Sequence, residues 1–297
     1  MLVTKNTLGH VVALLTICIW GLTFISTKVL LRDFSPVEVL FFRFCIGYIC
    51  LLVAFPSSFK CANWRQELHF VGAGLCGVTL YFLFENIALT YTFASNVGVL
   101  VAVSPFLTAL LAHVFLHGEA LTPRFFVGFV VAIAGIMLMS FNGNVVLQLN
   151  PLGDILAILA AGAWAMYSIL LRKISRFGFP TIACTRRIFF YGLLFMLPAL
   201  WFLGLRWDFS RFIAPLNLLN LLFLGIGASA VCFATWSWSI KILGAVKASV
   251  YIYLVPVVTV GCAALILREN ITPLARLGTG LTWVGLVISE SKGKQRA

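Results

Sequence analysis

Charged residues are scarce in this chain. Only 10% of its 297 residues are charged, whereas 62% are hydrophobic. A soluble domain usually carries about 25% charged residues, so this chain has too few polar side chains to cover a surface in contact with water. The scarcity excludes a soluble protein and indicates an integral membrane protein.

Several motifs that carry chemistry are also missing. No GxxxxGK[ST] pattern occurs, so ATP does not drive the protein directly. The absence of HExxH and GxSxG argues against a membrane-embedded hydrolase. The eight cysteines contain no CxxC pair, and a buried free cysteine packs as a small hydrophobic residue. We therefore expect no enzymatic activity, no metal and no cofactor.

Long apolar runs fill the chain instead. About 20 apolar residues cross a bilayer as one helix, and runs of this length follow one another along almost the whole sequence. They predict an all-α polytopic membrane protein embedded in the lipid bilayer. Its ten transmembrane helices are expected at residues 8–27, 36–55, 68–88, 94–116, 124–141, 152–171, 180–203, 217–239, 246–267 and 274–290.

The net charge of +12 comes from basic residues that are scattered singly between the apolar runs. This distribution favours orientation by the positive-inside rule over nucleic-acid binding. Twelve basic residues fall in the loops and tails on the side of the N-terminus, against six on the other side. We expect both termini to be cytoplasmic, in a bacterial inner membrane.

A short sequence that predicts a turn occurs twice in the chain. HGEALTP at 117–123 and LRENITP at 267–273 share Glu, Thr and Pro at positions 150 residues apart. In each copy the Thr can cap the next helix, and the Pro suits the first turn of that helix. Glu119 and Glu269 precede the helix N-terminus, where the dipole favours a carboxylate. This position favours a structural role for both residues over substrate binding.

Other residues recur at similar separations. Matching pairs are Trp20/Trp164, Arg43/Arg187, Pro105/Pro256, Gly128/Gly278 and Gly135/Gly285. They predict two homologous halves, 1–145 and 146–297. Each half has five predicted helices, an odd number, so the second half enters the membrane from the opposite side. The result is a 5+5 inverted-topology repeat. The four glycines share one face in the fifth and tenth helices, which we expect to pack together closely.

Short motifs in this order resemble the drug/metabolite transporter superfamily, specifically its EamA-type exporters with two domain copies. The first copy carries IWG at 19–21, SPVEVLFFR at 35–43, ALTYTFAS at 88–95, Pro105 and GE at 118–119. The second carries GAVKAS at 244–249, Pro256 and LREN at 267–270. It departs from the pattern with WSWSIKILGA at 236–245, where the first copy has NIALTYTFAS at 86–95. Any pathway chemistry in that segment is therefore particular to this chain.

The resemblance implies ten helices with cytoplasmic termini and a central cavity lined by helices one, three, four, six, eight and nine. It also implies transport by alternating access. Members of this family export amino acids, related metabolites or drugs, and relatives carry phosphorylated sugars or lipids. The resemblance does not identify the substrate, the coupling ion or the oligomeric state.

Charged residues inside predicted spans are candidates for function. Glu85, with its neighbour Asn86, is read either as a site for a cationic group or a coupling proton, or as a hydrated or paired structural carboxylate. The symmetry of Arg43 and Arg187 favours a structural or gating role over cargo recognition. Arg186 has no symmetric partner.

Aromatic residues in the predicted spans are the other candidates. Broad faces with single donors suit amphipathic or cationic cargo, although packing or interfacial anchoring is the alternative for each of them. The candidates are Trp20, Tyr81, Trp164, Trp236, Trp238, Tyr251 and Tyr253. We predict a secondary exporter of a small organic metabolite such as an amino acid, an amine or a drug-like compound. The alternative is a carrier or flippase of a phosphorylated sugar or lipid, with Arg43, Arg186 and Arg187 as anion ligands.

Overall fold

The computed structural model describes residues 4–91, 94–116, 122–141, 150–204, 208, 210–258, 261 and 273–290. All regular secondary structure in these residues is helical. Seven of the helices are long and apolar enough to cross a membrane, so the protein is a multi-pass membrane protein. They span Lys5–Thr23, Pro36–Ala54, Trp64–Ala88, Val97–Phe115, Pro151–Ser175, Thr181–Phe202 and Pro215–Leu243.

The three remaining predicted spans coincide with shorter described helices. Two of these helices are apolar, Pro123–Leu138 and Ala245–Val258, and the third is Pro273–Glu290. The count of ten helices and the 5+5 inverted arrangement therefore stay predictions.

Fourteen α-helices are referred to below. They are α1 (Lys5–Leu30), α2 (Pro36–Ala54), α3 (Trp64–Gly74), α4 (Tyr81–Tyr91), α5 (Ala94–Val101), α6 (Ser104–Phe115), α7 (Pro123–Phe141), α8 (Pro151–Ser175), α9 (Thr181–Leu203), α10 (Ser210–Ile213), α11 (Pro215–Leu222), α12 (Cys232–Leu243), α13 (Ala245–Val250) and α14 (Pro273–Glu290).

Local sequence determines where the helices begin. Ser35 caps α2 and forms a reciprocal capping box with Glu38, whose side chain accepts the Ser35 N–H at 2.7 Å. The predicted start of α7 is confirmed, because Thr122 Oγ1 accepts the N–H of Phe125 at 3.3 Å and Pro123 is the first helical residue. Such caps satisfy backbone donors that a helix N-terminus leaves without a partner. The predicted roles of Glu119 and Glu269 concern residues outside the described part of the chain.

Two long helical runs contain a π-helical segment near their middle. Leu75–Leu80 joins α3 to α4, and Phe223–Val231 joins α11 to α12. Helix α9 packs against the first segment and α2 against the second. Helix α8 also packs against the first segment, and this contact is close at Gly77, where an added Cβ would lie 2.3 Å from the Tyr167 ring. Such π-helical turns are rare and often mark functional sites.

The core lies between α1, α2, α8, α9 and α12. Its largest fully buried side chains are aromatic, among them Phe44, Tyr167, Phe189, Phe233 and Trp236. Phe44 packs against Phe189 and Phe233 with ring centroids 4.9 and 5.5 Å apart. These rings fill the space between helices from both halves of the chain.

Helices α7 and α14 form a separate close pair. A Cβ added at Gly135 would lie 2.5 Å from the carbonyl oxygen of Gly278, and one at Gly285 would lie 2.6 Å from that of Gly128. The two backbones therefore touch where these four glycines face each other. The packing role predicted from their spacing is confirmed.

Candidate transport site

Tryptophans from three helices meet at the centre of the bundle. The ring of Trp20 in α1 lies 5.4 Å from that of Trp164 in α8 and 5.2 Å from that of Trp236 in α12. Trp164 also contacts Tyr81 at 5.0 Å. We call Trp20, Tyr81, Trp164 and Trp236 the aromatic cluster. The structure thus brings together four of the aromatic residues that the sequence suggested.

A carboxylate adjoins the aromatic cluster. The hydroxyl of Tyr81 donates to Glu85 Oε1 at 3.3 Å, one turn further along α4. Within the described part of the chain no cation is in ion-pair contact with Glu85, although the guanidinium of Arg43 attracts it over a longer distance. An acidic group inside a membrane helix without a direct counter-ion is costly. Glu85 is therefore available to a cationic group or a proton.

Several buried donors lack a partner within the described part of the chain, and two of them belong to the aromatic cluster. The indole N–H groups of Trp164 and Trp236 and the hydroxyl of Tyr253 have no hydrogen-bond partner among the described residues. Trp164 is 6% exposed, and the other two are fully buried. Burying a donor without a partner costs free energy, so such groups commonly meet a ligand or an ordered water. By contrast, Trp20 Nε1 donates to the main-chain oxygen of Ala228 at 3.0 Å.

Three other candidates occupy different positions. Trp238 lies two residues after Trp236, about 200° around α12, and makes no ring contact within the described residues. Tyr251 bonds to His10 Nδ1 at 2.8 Å, which ties it to α1. Asn86 follows Glu85 and is half-buried.

Arg43 is buried between α2 and the second π-helical segment. Its Nε donates to Ser229 Oγ at 2.9 Å, and its guanidinium lies over the rings of Phe44 and Phe82 at 5.5 and 5.4 Å. The side chain therefore joins α2, α4 and the 223–231 segment. Sequence reasoning gave no sign of Ser229, because a single serine in an apolar run is unremarkable.

Arg187 belongs to a polar network where α9 begins, which we call the 187 network. Its Nε and Nη2 donate to the two carboxylate oxygens of Glu67 at 2.7 and 2.6 Å, and Nη1 donates to the Phe59 carbonyl at 2.8 Å. Tyr191 also donates to Glu67. The network joins α3, α9 and the 55–63 connection.

A second network, the 211 network, lies where α2 begins. Arg211 donates to both carboxylate oxygens of Glu38 at 3.2 and 3.1 Å and to the Asp33 carbonyl at 2.7 Å. The hydrogen bond with Glu38 raises the pKa of Arg211 above its ordinary value. Asn217 Nδ2 donates to Asp33 Oδ2 at 2.7 Å. This network joins α2, α10 and α11.

The two networks are at opposite ends of the bundle. Glu38 lies in the first turn of α2, whereas Phe59 and Glu67 lie after its C-terminus. Nineteen helical residues separate these ends by roughly 28 Å. Each end of the bundle therefore has one bidentate arginine–carboxylate contact between helices.

The matched prolines are both within helices. Pro105 is buried in the first turn of α6, and Pro256 is half-buried in the helical residues that follow Tyr253. Their predicted structural or gating role stays a prediction, as does that of Arg43 and Arg187.

Replacing Arg187 with Gln is expected to destabilise the purified protein by about 1–2 kcal/mol, because Glu67 loses a bidentate, partly exposed partner. Thermal unfolding in detergent measures this loss. Arg43→Gln is expected to cost about 1–3 kcal/mol by leaving a buried hydroxyl without its partner. Arg32→Gln, at an exposed arginine, is the control. A variant of normal stability that loses only a phosphate ligand's thermal shift would contradict the structural role.

Known proteins match this chain over almost its whole length. Residues 7–141 and 151–290 each match the EamA-like transporter family. The chain belongs to this family. Among solved structures, one titled "Crystal structure of protein" has a TM-score of 0.81 at 20% identity, covering 95% of this chain and 97% of its own. This likeness supports the same fold.

Two curated relatives are similar along their full length. An "Uncharacterized transporter" of Archaeoglobus fulgidus is 28% identical, with 98% of this chain and 100% of that protein covered. A "Probable amino-acid metabolite efflux pump" of Escherichia coli (strain K12) is also 28% identical, with 94% and 93% covered. Family and relatives identify a membrane transporter rather than an enzyme.

Proposed function

We propose that this EamA-like transporter exports a small organic metabolite with a cationic amino group, such as an amino acid, an amine or a drug-like compound. The observation that carries the proposal is the carboxylate of Glu85 beside the aromatic cluster. Aromatic faces attract cations and apolar side chains, and a carboxylate without a direct counter-ion accepts an ammonium group. The E. coli relative, named as a probable amino-acid metabolite efflux pump, supports the same substrate class.

The buried donors extend the site toward a zwitterion. The N–H groups of Trp164 and Trp236 would donate to the carboxylate of an amino acid. Glu85 would hold its ammonium group, and the ring faces would cover its side chain. Such a site would bind a ligand with both charges more tightly, because each buried group that otherwise lacks a partner gains one.

Alternating access would require the two ends of the bundle to open in turn. The 187 network and the 211 network each join helices at one end, and both are formed here. Opening one end would break one bidentate contact while the other holds. Since the chain has no P-loop, a secondary mechanism follows, and Glu85 is the candidate carrier of a coupling proton.

The alternative, a carrier of a phosphorylated sugar or lipid, has less support. It needs Arg43, Arg186 and Arg187 to share one anion. Arg43 instead binds Ser229, whereas Arg187 binds Glu67. Arg43 and Arg187 thus have different partners, and Arg187 is already paired with Glu67.

A thermal-shift screen of the purified protein tests the proposal. Amino acids, amines, cationic drugs and sugar phosphates are added separately. We expect stabilisation by at least one amino acid or amine, and loss of that shift in Glu85→Gln. Stabilisation by sugar phosphates alone, retained in Glu85→Gln, would favour the alternative.

Orientation can be tested at the two ends of the bundle. Cytoplasmic termini predict that residue 57 faces the cytoplasm and residue 210 faces outward. Cys61 is a poor probe, since partial burial and a hydrogen bond with Glu67 raise the pKa of its thiol to about 11 and the thiolate is the reactive form. Ser57 and Ser210 are both exposed.

In a Cys61→Ser background, a membrane-impermeant maleimide is expected to label Ser210→Cys in intact cells. It is expected to label Ser57→Cys only after lysis. The reverse pattern would overturn the proposed orientation while leaving the fold unaffected.

A further inference from the structure

A cleft outside the central region opens between α2 and α9. It has a volume of about 260 Å³ and is lined by residues that include Tyr48, Ser58, Arg186, Arg187 and Phe190. It lies where α2 ends and α9 begins, close to the level at which membrane helices meet lipid headgroups. The proposed transport cycle uses Arg187 through its contact with Glu67, but it gives no role to Arg186.

The cleft carries positive charge. Arg186 donates to the main-chain carbonyls of Phe55 and Ser57, and among the described residues no carboxylate pairs with it. A guanidinium has five N–H groups, so Arg186 retains donors for a further acceptor. Arg187 shares its charge with Glu67. Two arginines against one carboxylate leave the cleft with an excess of one positive charge.

An exposed apolar stripe continues from the cleft along α9. Phe190, Leu194, Leu197 and Trp201 follow Arg186 at spacings of three or four residues, which places them on one helix face. They are 49%, 49%, 50% and 86% exposed. The twelve residues from 190 to 201 cover roughly 16 Å, a length comparable with that of an acyl chain.

We propose that this cleft binds the headgroup of an anionic phospholipid, with an acyl chain along the α9 stripe. Arginine donates two parallel hydrogen bonds to phosphate, and basic pockets between membrane helices bind anionic headgroups. A soluble phosphate could reach the same arginines, but the adjoining stripe favours a lipid. The proposal is independent of the cargo and of the central site.

Lipid binding can be measured on the purified full-length protein in neutral detergent. Dioleoyl phosphatidylglycerol and dioleoyl phosphatidylcholine are titrated separately, and the shift in melting temperature gives an apparent affinity. We expect phosphatidylglycerol to bind more tightly. Arg186→Gln is expected to weaken its binding about tenfold, because one charge-assisted contact is lost. Arg176→Gln removes the same charge at an exposed position outside the cleft and is expected to have no effect.

Two further measurements are needed. One distinguishes a lipid from a soluble phosphate as the ligand, and the other replaces Arg186→Gln if that variant does not fold. Inorganic phosphate and dihexanoyl phosphatidylglycerol are expected to give no comparable shift, since neither fills the stripe. If Arg186→Gln does not purify, Leu197→Ser, at a half-exposed position, is expected to weaken dioleoyl phosphatidylglycerol binding. Equal binding of both dioleoyl lipids, an equal loss in Arg176→Gln, or an equal shift with inorganic phosphate would overturn the proposal.

Discussion

Replacing Glu85 with Gln is expected to reduce export by at least about tenfold, because a charge-assisted contact to the cargo is lost. The amide has nearly the same shape and can still accept from Tyr81, which donates to Glu85 at 3.3 Å. The fold should therefore be intact. If Glu85 also carries the coupling proton, the remaining export should lose its pH dependence. Efflux of labelled substrate from preloaded cells, measured across a pH series, gives both quantities.

Two controls accompany this substitution. Glu85→Asp keeps the carboxylate and is expected to retain part of the activity. Asp208→Asn removes a charge from an exposed acid whose pKa is lowered by hydrogen bonds from Ser210, and export should not change. Unaltered export and pH dependence in Glu85→Gln would assign Glu85 a purely structural role.

Replacing Gly285 with Leu is expected to cost about 3 kcal/mol or more, because overpacking forces a backbone shift when no side chain can move aside. Even a Cβ at this position would lie 2.4 Å from the main-chain nitrogen of Ala132. Helices α7 and α14 would have to separate. We expect the melting temperature in detergent to fall by about 6–12 °C.

Gly280 provides the matched control in the same helix. A Cβ there would meet no atom within 4 Å, and the residue is exposed. Gly280→Leu is therefore expected to leave the melting temperature nearly unchanged. Equal losses in the two variants would show that the contact between α7 and α14 is not what makes Gly285 necessary, since leucine has a higher helix propensity than glycine at both positions.

Much of the fold could be predicted from the sequence because a membrane helix is defined by residues that are close together along the chain. The Thr122–Pro123 pair marks the start of α7, and glycine spacing identifies the contact between α7 and α14. The repeat also placed Trp20 and Trp164 at equivalent positions, and their rings do meet at 5.4 Å. Hydropathy and periodicity carry this information, since each depends on neighbours along the chain.

The arginine–carboxylate contacts that join helices at each end of the bundle could not be predicted in the same way. Arg187 and Glu67 are 120 residues apart, and Arg211 and Glu38 are 173 apart. No pattern in the neighbouring sequence indicates such a distant pair. The π-helical segments were also missed, because one additional residue per turn does not change the average hydropathy of an apolar run.

Similar arginine–carboxylate contacts occur at the two ends of the bundle, and different helices supply them. At one end the arginine comes from α9 and the carboxylate from α3, whereas at the other the arginine comes from α10 and the carboxylate from α2. A carrier that opened both ends together would leak. In the proposed cycle, two separate contacts about 28 Å apart would open in turn.

Counterflow in proteoliposomes is the most direct test of whether the protein transports an amino acid or amine through Glu85. Liposomes containing the purified protein are loaded with an excess of the unlabelled amino acid or amine identified by thermal shift, and the labelled compound is added outside. We expect transient accumulation of label with the unaltered protein and almost none with Glu85→Gln at equal protein content. Equal accumulation by both proteins, or accumulation only when a sugar phosphate is the exchanged compound, would rule out Glu85 as the residue that binds an amino acid or amine.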